Sequence, residues 1–577
     1  MNKINQLRNI LNQETCDAYL IPKNDEYFGE HVPENKDRLK FISGFTGSTG
    51  LALIFKNKSY LFVDGRYTLQ AKNEVNKDFK ICEVPKIKPH HILKNINKRI
   101  TLGFDPKLFT LSSLKNIISK NSINLKPINF NLIDKIWKNK SKVNHNRFYL
   151  FEEKYHGENY LNKIDKISKF LKLKNIDYLL STSVENISWL LNVRGSDATS
   201  SPLTNGKILF NKNRKIIFFT NIKKLTPQIK KFFRKKVIFI KEESFVSYLR
   251  KIKKSNILID KKTCSFYYEK NIHSSNKLIN IEDPIYLLKS IKNKTEINNT
   301  RIAHLFDAIA LTKFIFWSKN KYKKTKITEI SAQNTLEKYK KQHKDYLYPS
   351  FNTISGFGSN GAIVHYRSNH KTNKQIKGNN LYLLDSGSQY FYGTTDVTRT
   401  IAIGKVSNFQ KKIYSTVLKA HIAVASYKLK KTTLGKHIDK VARAPLLKIG
   451  YNYSHGTGHG VGYFLNVHEG PQGLSPFNNH KILPGMILSN EPGFYKENDF
   501  GIRIENLIYC ERVNNNHSKF INLTIVPFDK DCINKKFLNK NEINWINTYH
   551  QKIFYILKPF MNNVELKMLT KACSAIS

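Results

Sequence analysis

Leu381-Tyr-Leu-Leu-Asp385-Ser-Gly-Ser-Gln-Tyr390-Phe-Tyr-Gly-Thr-Thr-Asp396-Val-Thr-Arg-Thr400 decides how the C-terminal half of the chain must fold. Leu381–Leu384 is an apolar strand ending in Asp385. Gly393 marks a turn, and Thr394–Thr400, rich in β-branched residues, begins a return strand that carries Asp396. With the hairpin centred near Tyr390 and Phe391, the two aspartates are expected opposite each other, their Cβ atoms about 5 Å apart. Carboxylates held that close repel unless a cation lies between them.

Three more segments carry the same kind of chemistry. His455-Gly-Thr-Gly-His459-Gly-Val-Gly is laced with glycine, which lets backbone and ligand approach closely, and His468 follows in Asn-Val-His468-Glu-Gly-Pro. Met486–Asn490 reads as a strand that delivers Glu491 and is stopped by Pro492-Gly493. In Gly501-Ile-Arg503-Ile-Glu505-Asn, strand alternation puts Arg503 and Glu505 on one face and Ile502 and Ile504 on the other. Singly, such residues are ordinary turn or surface groups. Together, Asp385, Asp396, Glu491 and Glu505 carry four negative charges, which two divalent cations balance while the neutral imidazole of His459 completes the set. Oxygen and nitrogen donors without thiolate suit Mn, Fe, Co or Zn in a two-metal centre.

Outward from this cluster, the first 150 or so residues alternate strands and helices. Ala18–Pro22, Leu51–Phe55 and Tyr60–Val63 read as strands, the last two joined by Lys56–Ser59, with a helix after Asp64-Gly-Arg-Tyr67. A second region from Phe151 repeats this order. Asp177-Tyr-Leu-Leu-Ser echoes Asp17-Ala-Tyr-Leu-Ile, Gly195–Phe210 echoes Gly44–Phe55, and Ile216–Thr220 echoes Tyr60–Asp64. Ordered self-similarity predicts a duplicated domain. A third region starts near Asp283-Pro284. Lys294–Ser318 has a helical apolar period through Ile297, His304, Ala308 and Leu311, and a second helix is expected over Ile327–Lys340. Glycine-rich strands and turns are expected from there to about residue 513, and a helical tail over Asn539–Ser577, with Ile543, Ile546, His550 and Ile553 on one face.

These motifs resemble those of the pita-bread metallopeptidases, the family of methionine aminopeptidase, prolidase and aminopeptidase P. The likeness is strongest to the long, three-domain Xaa-Pro aminopeptidases. Leu-Leu-Asp385-Ser-Gly-Ser-Gln-Tyr, Gly-Thr-Thr-Asp396-Val-Thr-Arg-Thr, the two-histidine glycine segment, Ser-Asn-Glu491-Pro-Gly-Phe-Tyr, Gly-Ile-Arg-Ile-Glu505-Asn and Asn360-Gly-Ala-Ile-Val-His365-Tyr all look like family motifs. Arg38–Gly50 and Val63-Asp-Gly-Arg-Tyr resemble a first creatinase-like domain, and Ile187-Ser-Trp-Leu-Leu-Asn-Val-Arg-Gly-Ser-Asp a second. Leu523-Thr-Ile-Val-Pro-Phe and Trp545-Ile-Asn-Thr-Tyr-His resemble the C-terminal extension.

The resemblance implies a mixed α/β and α+β chain: two creatinase-like α/β domains, at 1–150 and 151–283, then a pita-bread catalytic domain at 284–515 and an extension at 516–577 packed on it. It implies two divalent metal ions, manganese first among them, held by Asp385, Asp396, His459, Glu491 and Glu505, with Asp396 and Glu505 bridging. His365, His455 and His468 are implied to line the substrate site, and Glu491 to move a proton as well. The implied reaction is hydrolysis of the bond between an N-terminal residue and a penultimate proline, with a hydroxide held between the ions as nucleophile. The expected partners are peptides beginning Xaa-Pro and a second copy of the chain in a homodimer.

Composition narrows the rest. The chain of 577 residues carries 96 Lys+Arg against 44 Asp+Glu, a formal charge of +52. Clustered cations can signal a polyanion partner, and the densest runs, Lys230–Lys236 and Lys321–Lys326, contain aromatic residues. Yet the excess is lysine spread along the whole chain beside abundant Asn and Ile, all with A/T-rich codons. The reading is compositional bias over solvated faces, with nucleic acid not expected as a partner. Six scattered cysteines without a CxxC pair argue against a thiolate metal site or a disulfide framework. No segment approaches the roughly 18 apolar residues of a membrane span, and the start lacks a signal-peptide core, so a cytoplasmic protein without a membrane partner is expected. Two rivals stay open: a prolidase-type dipeptidase, and a pita-bread domain turned binding module. The latter loses metal ligands, whereas all five positions are filled here.

Overall fold

The computed structural model describes residues 2–96, 99–118, 123–141, 146–234 and 236–577, which fall into two units, Met1–Leu288 and Lys289–Ser577. The first unit holds two six-stranded sheets. One is built from β1 (Ala18–Pro22), β2 (Leu51–Phe55), β3 (Ser59–Asp64), β4 (Phe79–Val84), β5 (Ile100–Phe104) and β6 (Ile123–Pro127), in the order β4-β3-β2-β1-β5-β6. The other is built from β7 (Tyr178–Ser181), β8 (Lys207–Asn211), β9 (Ile216–Thr220), β10 (Val237–Lys241), β11 (Asn256–Ile259) and β12 (Lys277–Asn280), in the order β10-β9-β8-β7-β11-β12.

The two orders are the same, and so is the sense of every pairing. β1 with β2 and β7 with β8 are antiparallel, β1 with β5 and β7 with β11 are parallel, and each edge pair is parallel. Shared topology with shared pairing sense is what a duplicated domain leaves behind. The run Ala18–Pro22 is apolar throughout because the sheet is covered on both faces. Tyr19 and Ile21 join one buried cluster with Ile54 and Val63, while Ala18 and Leu20 join another with Leu53 and Phe62.

In the second unit, the helix Lys294–Lys321 starts from an Asn293/Glu296 capping box and Glu329–Lys340 from a Thr328/Ser331 one, two residues later than the expected Ile327 start. Strands β13 (Ile354–Phe357), β14 (Asn380–Ser386) and β15 (Val397–Ile403) form an antiparallel sheet in the order β13-β14-β15. A second sheet contains β16 (Gly458–Gly460), β17 (Glu469–Leu474), β18 (Ile487–Asn490), β21 (Asn506–Arg512) and β22 (His517–Asn522), with the ribbon β19 (Gly493–Lys496) and β20 (Phe500–Arg503) beside it in sequence.

The expected strand-and-turn stretch up to residue 513 also contains two helices, Asn408–Ala425 and Gly435–Leu447. The first is opened by a Ser407/Gln410 capping box, and Ile413, Tyr414, Val417, Leu418 and His421 bury one broad face. The tail is two helices, Lys540–Leu557 and Asn563–Cys573, with a short turn at Lys558–Phe560 between them. Ile546, Tyr549, Ile553 and Leu557 enter the same buried cluster as Leu384, Val397 and Ile401 of the hairpin. The tail therefore shares the core that shapes the hairpin strands.

The first basic run divides its aromatic pair, with Phe232 46% exposed. Phe233 is buried, 5.0 Å from the Tyr160 ring and 5.7 Å from that of Phe239, so it serves the core of the first unit. Lys235 of that run lies outside the described residues. Lys321–Lys326 caps the end of the long helix in an exposed turn. No helix among the described residues is long and apolar enough to cross a membrane.

Truncating Ile546, fully buried in the shared cluster, to Ala removes packing that the hairpin also uses. A cost of about 2–5 kcal/mol is expected, read as a lower unfolding midpoint of the second unit in denaturant. Val564→Ala, at a side chain 63% exposed in the same tail, is expected to change nothing measurable.

Candidate metal centre

Asp385 is the next-to-last residue of β14, and Asp396 stands immediately before β15. They are not directly opposite each other. Asp385 pairs with Thr398, because the hairpin turns at Phe391-Tyr392, one residue beyond the expected centre, between Tyr390 and Gly393. Moving the centre by one shifts the register by two, and a two-residue shift keeps every side chain on its face. Both aspartates therefore still look toward one site, diagonally related.

Around them stand the other expected ligands. Asp396, His459 and Glu505 each offer a donor atom, all within 4.8 Å of one another. His459 Nε2 lies 3.5 Å from Asp396 Oδ2 and 3.5 Å from Glu491 Oε1. His459 Nδ1 is 2.9 Å from the Gly460 carbonyl, which can only accept, so Nδ1 donates there and Nε2 is the nitrogen that faces the cluster. Gly458 and Gly460 are required here. A Cβ at Gly458 would strike the Ser489 carbonyl, and one at Gly460 the Glu469 carbonyl. Glu491 leaves the end of β18 and accepts from Ser489 Oγ at 3.1 Å, while the same hydroxyl accepts from the His459 amide at 2.9 Å.

Arg503 is the cation that the charge count overlooked. It is buried, donates to Asp385 Oδ2 at 2.6 Å, and donates through Nε to Thr398 Oγ1 at 3.1 Å. Thr398 in turn donates to Glu505 Oε2 at 2.8 Å. One oxygen of each acid is thus fixed, while Asp385 Oδ1 and Glu505 Oε1 are buried with no hydrogen-bond partner among the described residues. Orphaned carboxylate oxygens are costly unless a cation takes them. Burial first, then the charges of Asp396, Glu491 and Asp385, push Glu505 well above its ordinary pKa. Burial and the Asp385 and Glu491 charges likewise raise Asp396, against the hydrogen bond from His459 that lowers it. Burial opposes the charge of His459, but Asp396 and Glu491 prevail and raise it to about 9. The donor set fits divalent cations: oxygen and imidazole ligands, two unused buried oxygens, and an excess of negative charge.

The three other histidines are placed differently. The His468 ring lies 4.1 Å from that of His459 and is exposed. His455 Nδ1 faces the Gly456 carbonyl at 2.7 Å, so its Nε2 accepts from Tyr495 OH at 2.8 Å, and Tyr495 OH accepts from Arg503 Nη1 at 2.9 Å. Arg503 thereby connects His455 to Asp385. His365 is half-buried, next to Val364, whose carbonyl accepts from Arg503 at 3.3 Å.

Sequence reading also missed Glu469, the neighbour of His468. Fully buried, it meets Lys292 Nζ at 2.6 Å and Lys289 Nζ at 2.8 Å, and it pairs with Gly460 across β16 and β17. The pairing ties the residue after His468 to the strand that carries His459, and the triad ties it to the segment that holds Lys289 and Lys292. Burial opposes the Glu469 charge, yet the two ammonium groups hold its pKa below the ordinary carboxylate range. Its stabilising effect is therefore complete above the unfolded carboxyl value near 4.3 and fades as pH falls through the lower folded value. Glu469→Ala leaves two buried ammonium groups without a counter-charge, at an expected cost of about 3–5 kcal/mol. The check is chemical unfolding at pH 7 and pH 4, where the gap between the two proteins should narrow at the lower pH.

Comparison with known proteins gives the cluster its setting. Residues 298–512 match metallopeptidase family M24 and residues 516–576 the C-terminal region of peptidase M24. Residues 3–135 and 139–296 each match a creatinase/prolidase N-terminal domain. Xaa-Pro aminopeptidase 1 of Dictyostelium discoideum is 36% identical over 582 residues, 96% of this chain and 92% of that protein. A probable Xaa-Pro aminopeptidase P of Laccaria bicolor is 32% identical across 100% of this chain and 93% of its own. The structure of X-prolyl aminopeptidase from Caenorhabditis elegans, described as a cytosolic enzyme with a di-nuclear active site, matches with a TM-score of 0.94 at 28% identity, covering 100% of this chain and 99% of that one. A prolidase from Thermococcus sibiricus matches with a TM-score of 0.51 at 25% identity, covering 64% of this chain and 98% of its own. On full-length identity, domain content and fold together, this chain belongs to metallopeptidase family M24, among the long Xaa-Pro aminopeptidases.

Proposed function

We propose that this chain is a cytoplasmic Xaa-Pro aminopeptidase. It hydrolyses the bond between an N-terminal residue and a penultimate proline, using two divalent ions, manganese first among them, held by Asp385, Asp396, His459, Glu491 and Glu505. The observation that carries this reading is the meeting of Asp396, His459 and Glu505 within 4.8 Å, beside two buried carboxylate oxygens with no hydrogen-bond partner among the described residues. When bound, the ions supply Lewis acidity, which polarises the scissile carbonyl and eases deprotonation of the attacking water.

The chain's own groups do the rest. Arg503 and Thr398 hold Asp385 and Glu505 in fixed orientations, so little reorganisation is needed as charge develops. Glu491 takes the proton of the attacking water and returns it to the departing nitrogen of proline. His468, beside His459, donates to the developing oxyanion. His455, held by Tyr495, and His365 position the peptide. Proline at the second position suits such a site because its φ is fixed near −65° and it brings no N–H that a buried wall would have to satisfy.

The division proposed is four-part, at 1–150, 151–283, 284–515 and 516–577; four matched ranges support the number of parts, while the second of them, 139–296, extends past the proposed bounds at both ends. The likeness extends the proposal to a homodimer acting on free peptides, without a membrane or nucleic acid as partner. The 64% coverage by a prolidase speaks for the longer aminopeptidase form over a dipeptidase.

With manganese, the purified protein is expected to release the first residue of an Xaa-Pro-Xaa tripeptide faster than it cleaves an Xaa-Pro dipeptide. Asp396→Asn should lower kcat/KM at least about 100-fold and reduce bound metal, measured by elemental analysis of the same sample. Fast cleavage of Xaa-Ala-Xaa with Xaa-Pro-Xaa untouched would overturn the proline assignment.

A further inference from the structure

A cavity of about 710 Å³ opens between the end of the helix Lys294–Lys321, strand β15 and the C-terminal tail. That volume is in the range of small-molecule sites, roughly 300–1,000 Å³. Apolar side chains line part of it, among them Ile315, Phe316, Ala402, Phe528 and Met568. Its charged lining is unbalanced: Lys319, Lys323, Lys405, Lys530, Lys571 and Arg399 face only Asp529 and Asp531.

Both acids are already engaged. Lys319 Nζ lies 2.6 Å from Asp529 Oδ1 and 2.7 Å from Asp531 Oδ2, and Asp529 Oδ2 also accepts from the Ala402 amide at 2.8 Å. Lys530 donates to the Ser574 carbonyl at 2.8 Å, a neutral partner. Arg399 is buried, and its guanidinium donates to the carbonyls of Thr398, Glu505, Val526 and Pro527 and to the side chains of Asn506 and Tyr549. Its hydrogen bonds are satisfied, but none goes to a carboxylate, so a full positive charge stands behind the cavity. Burial lowers the pKa of Lys530, against the charges of Cys573 and Asp531 and with a smaller contribution from Lys571.

Lys323 of the basic run Lys321–Lys326 is among the cations that line the cavity. Cations and apolar side chains here line one cavity. The site is also separate from the metal centre. Thr398 and Thr400 of β15 turn toward Glu505 and the Arg503 carbonyl, whereas Arg399 turns the other way, toward Val526, Pro527 and Tyr549.

We propose that this cavity is a binding site for a small amphipathic organic anion, an apolar body against the apolar side chains with an anionic headgroup among the lysines. 8-Anilinonaphthalene-1-sulfonate is a suitable probe, since a sulfonate is a poor ligand for divalent metals and its signal does not report the catalytic centre. N-phenyl-1-naphthylamine has the same rings without the charge. Titrated into the metal-loaded protein, the sulfonate should show saturable fluorescence at one site. Lys405→Glu/Lys571→Glu, at two exposed side chains, should raise its Kd at least about tenfold, equivalent to about 1.4 kcal/mol, while the neutral amine changes little. Added salt should weaken the sulfonate as well. Lys230→Glu/Lys231→Glu removes the same charge in the first unit and should leave the Kd unchanged. The proposal falls if both double variants weaken the sulfonate equally, which would be the effect of net charge alone, or if Lys405→Glu/Lys571→Glu leaves it unchanged. An unaltered melting temperature in each variant keeps the comparison free of misfolding.

Discussion

Buried carboxylates that face one another are the constraint on which the catalytic half is built. Asp385, Asp396 and Glu505 are all at least nine-tenths buried, and Glu491 stands within 3.5 Å of the same imidazole. Left alone, such a set would drive its strands apart or take up protons. The protein answers by fixing one oxygen of Asp385 and one of Glu505 and leaving the other oxygen of each open. Arg503 and Thr398 take one from Asp385 and one from Glu505, and Ser489 steadies Glu491. The open oxygens point to the work of the site, which is to hold cations. The Gly460 carbonyl does for His459 what the hydroxyls do for the acids, setting which nitrogen is presented.

Packing and site are joined through β15. The face with Thr398 and Thr400 contacts the acids and their arginine, whereas the face with Arg399 reaches the carbonyls of Val526 and Pro527 and the hydroxyl of Tyr549. Tyr549 and Phe528 stack at 4.8 Å, and Arg399 lies 4.7 Å above the Phe528 ring. A loss of packing in the tail is therefore transmitted to the strand that presents Asp396. On the other side, the Lys289–Glu469–Lys292 triad ties the segment that follows Leu288 to the neighbour of His468. The site is thus braced from the start of the second unit and from its end.

The acidic cluster was legible in the sequence because two of its candidate ligands stand at strand ends beside Gly or Pro: Asp385 after Leu381–Leu384, Glu491 before Pro492-Gly493. Duplication was legible because apolar runs recur in order. Register was not, since nothing local to Tyr390-Phe391-Tyr392 says which residue pair caps the hairpin; only parity was safe, and parity is what keeps both aspartates on one face. The helices Asn408–Ala425 and Gly435–Leu447 were lost among glycine-rich neighbours, although Ser407 and Gln410 form a capping box that could have announced the first. Arg503 was placed on the right face by alternation, but the carboxylate it would meet, 118 residues earlier, is a tertiary fact. The same holds for Glu469 and Lys292, which are 177 residues apart.

One tension remains between the whole and the part. A chain with a formal charge of +52 should repel dications and the ammonium of a peptide N-terminus. Exposed lysines, however, act across water and salt, and their field decays over about 8 Å at physiological ionic strength. Asp396, His459 and Glu505 hold their donor atoms within 4.8 Å, in surroundings that exclude that screening. Near and buried charge outweighs distant and solvated charge, so a very basic surface and a cation-binding centre coexist in one chain. The same reasoning explains why the basic cavity behind β15 stands out from its surroundings: its lysines line one cavity together with apolar side chains, where water is fewer and the field of a buried Arg399 adds to theirs.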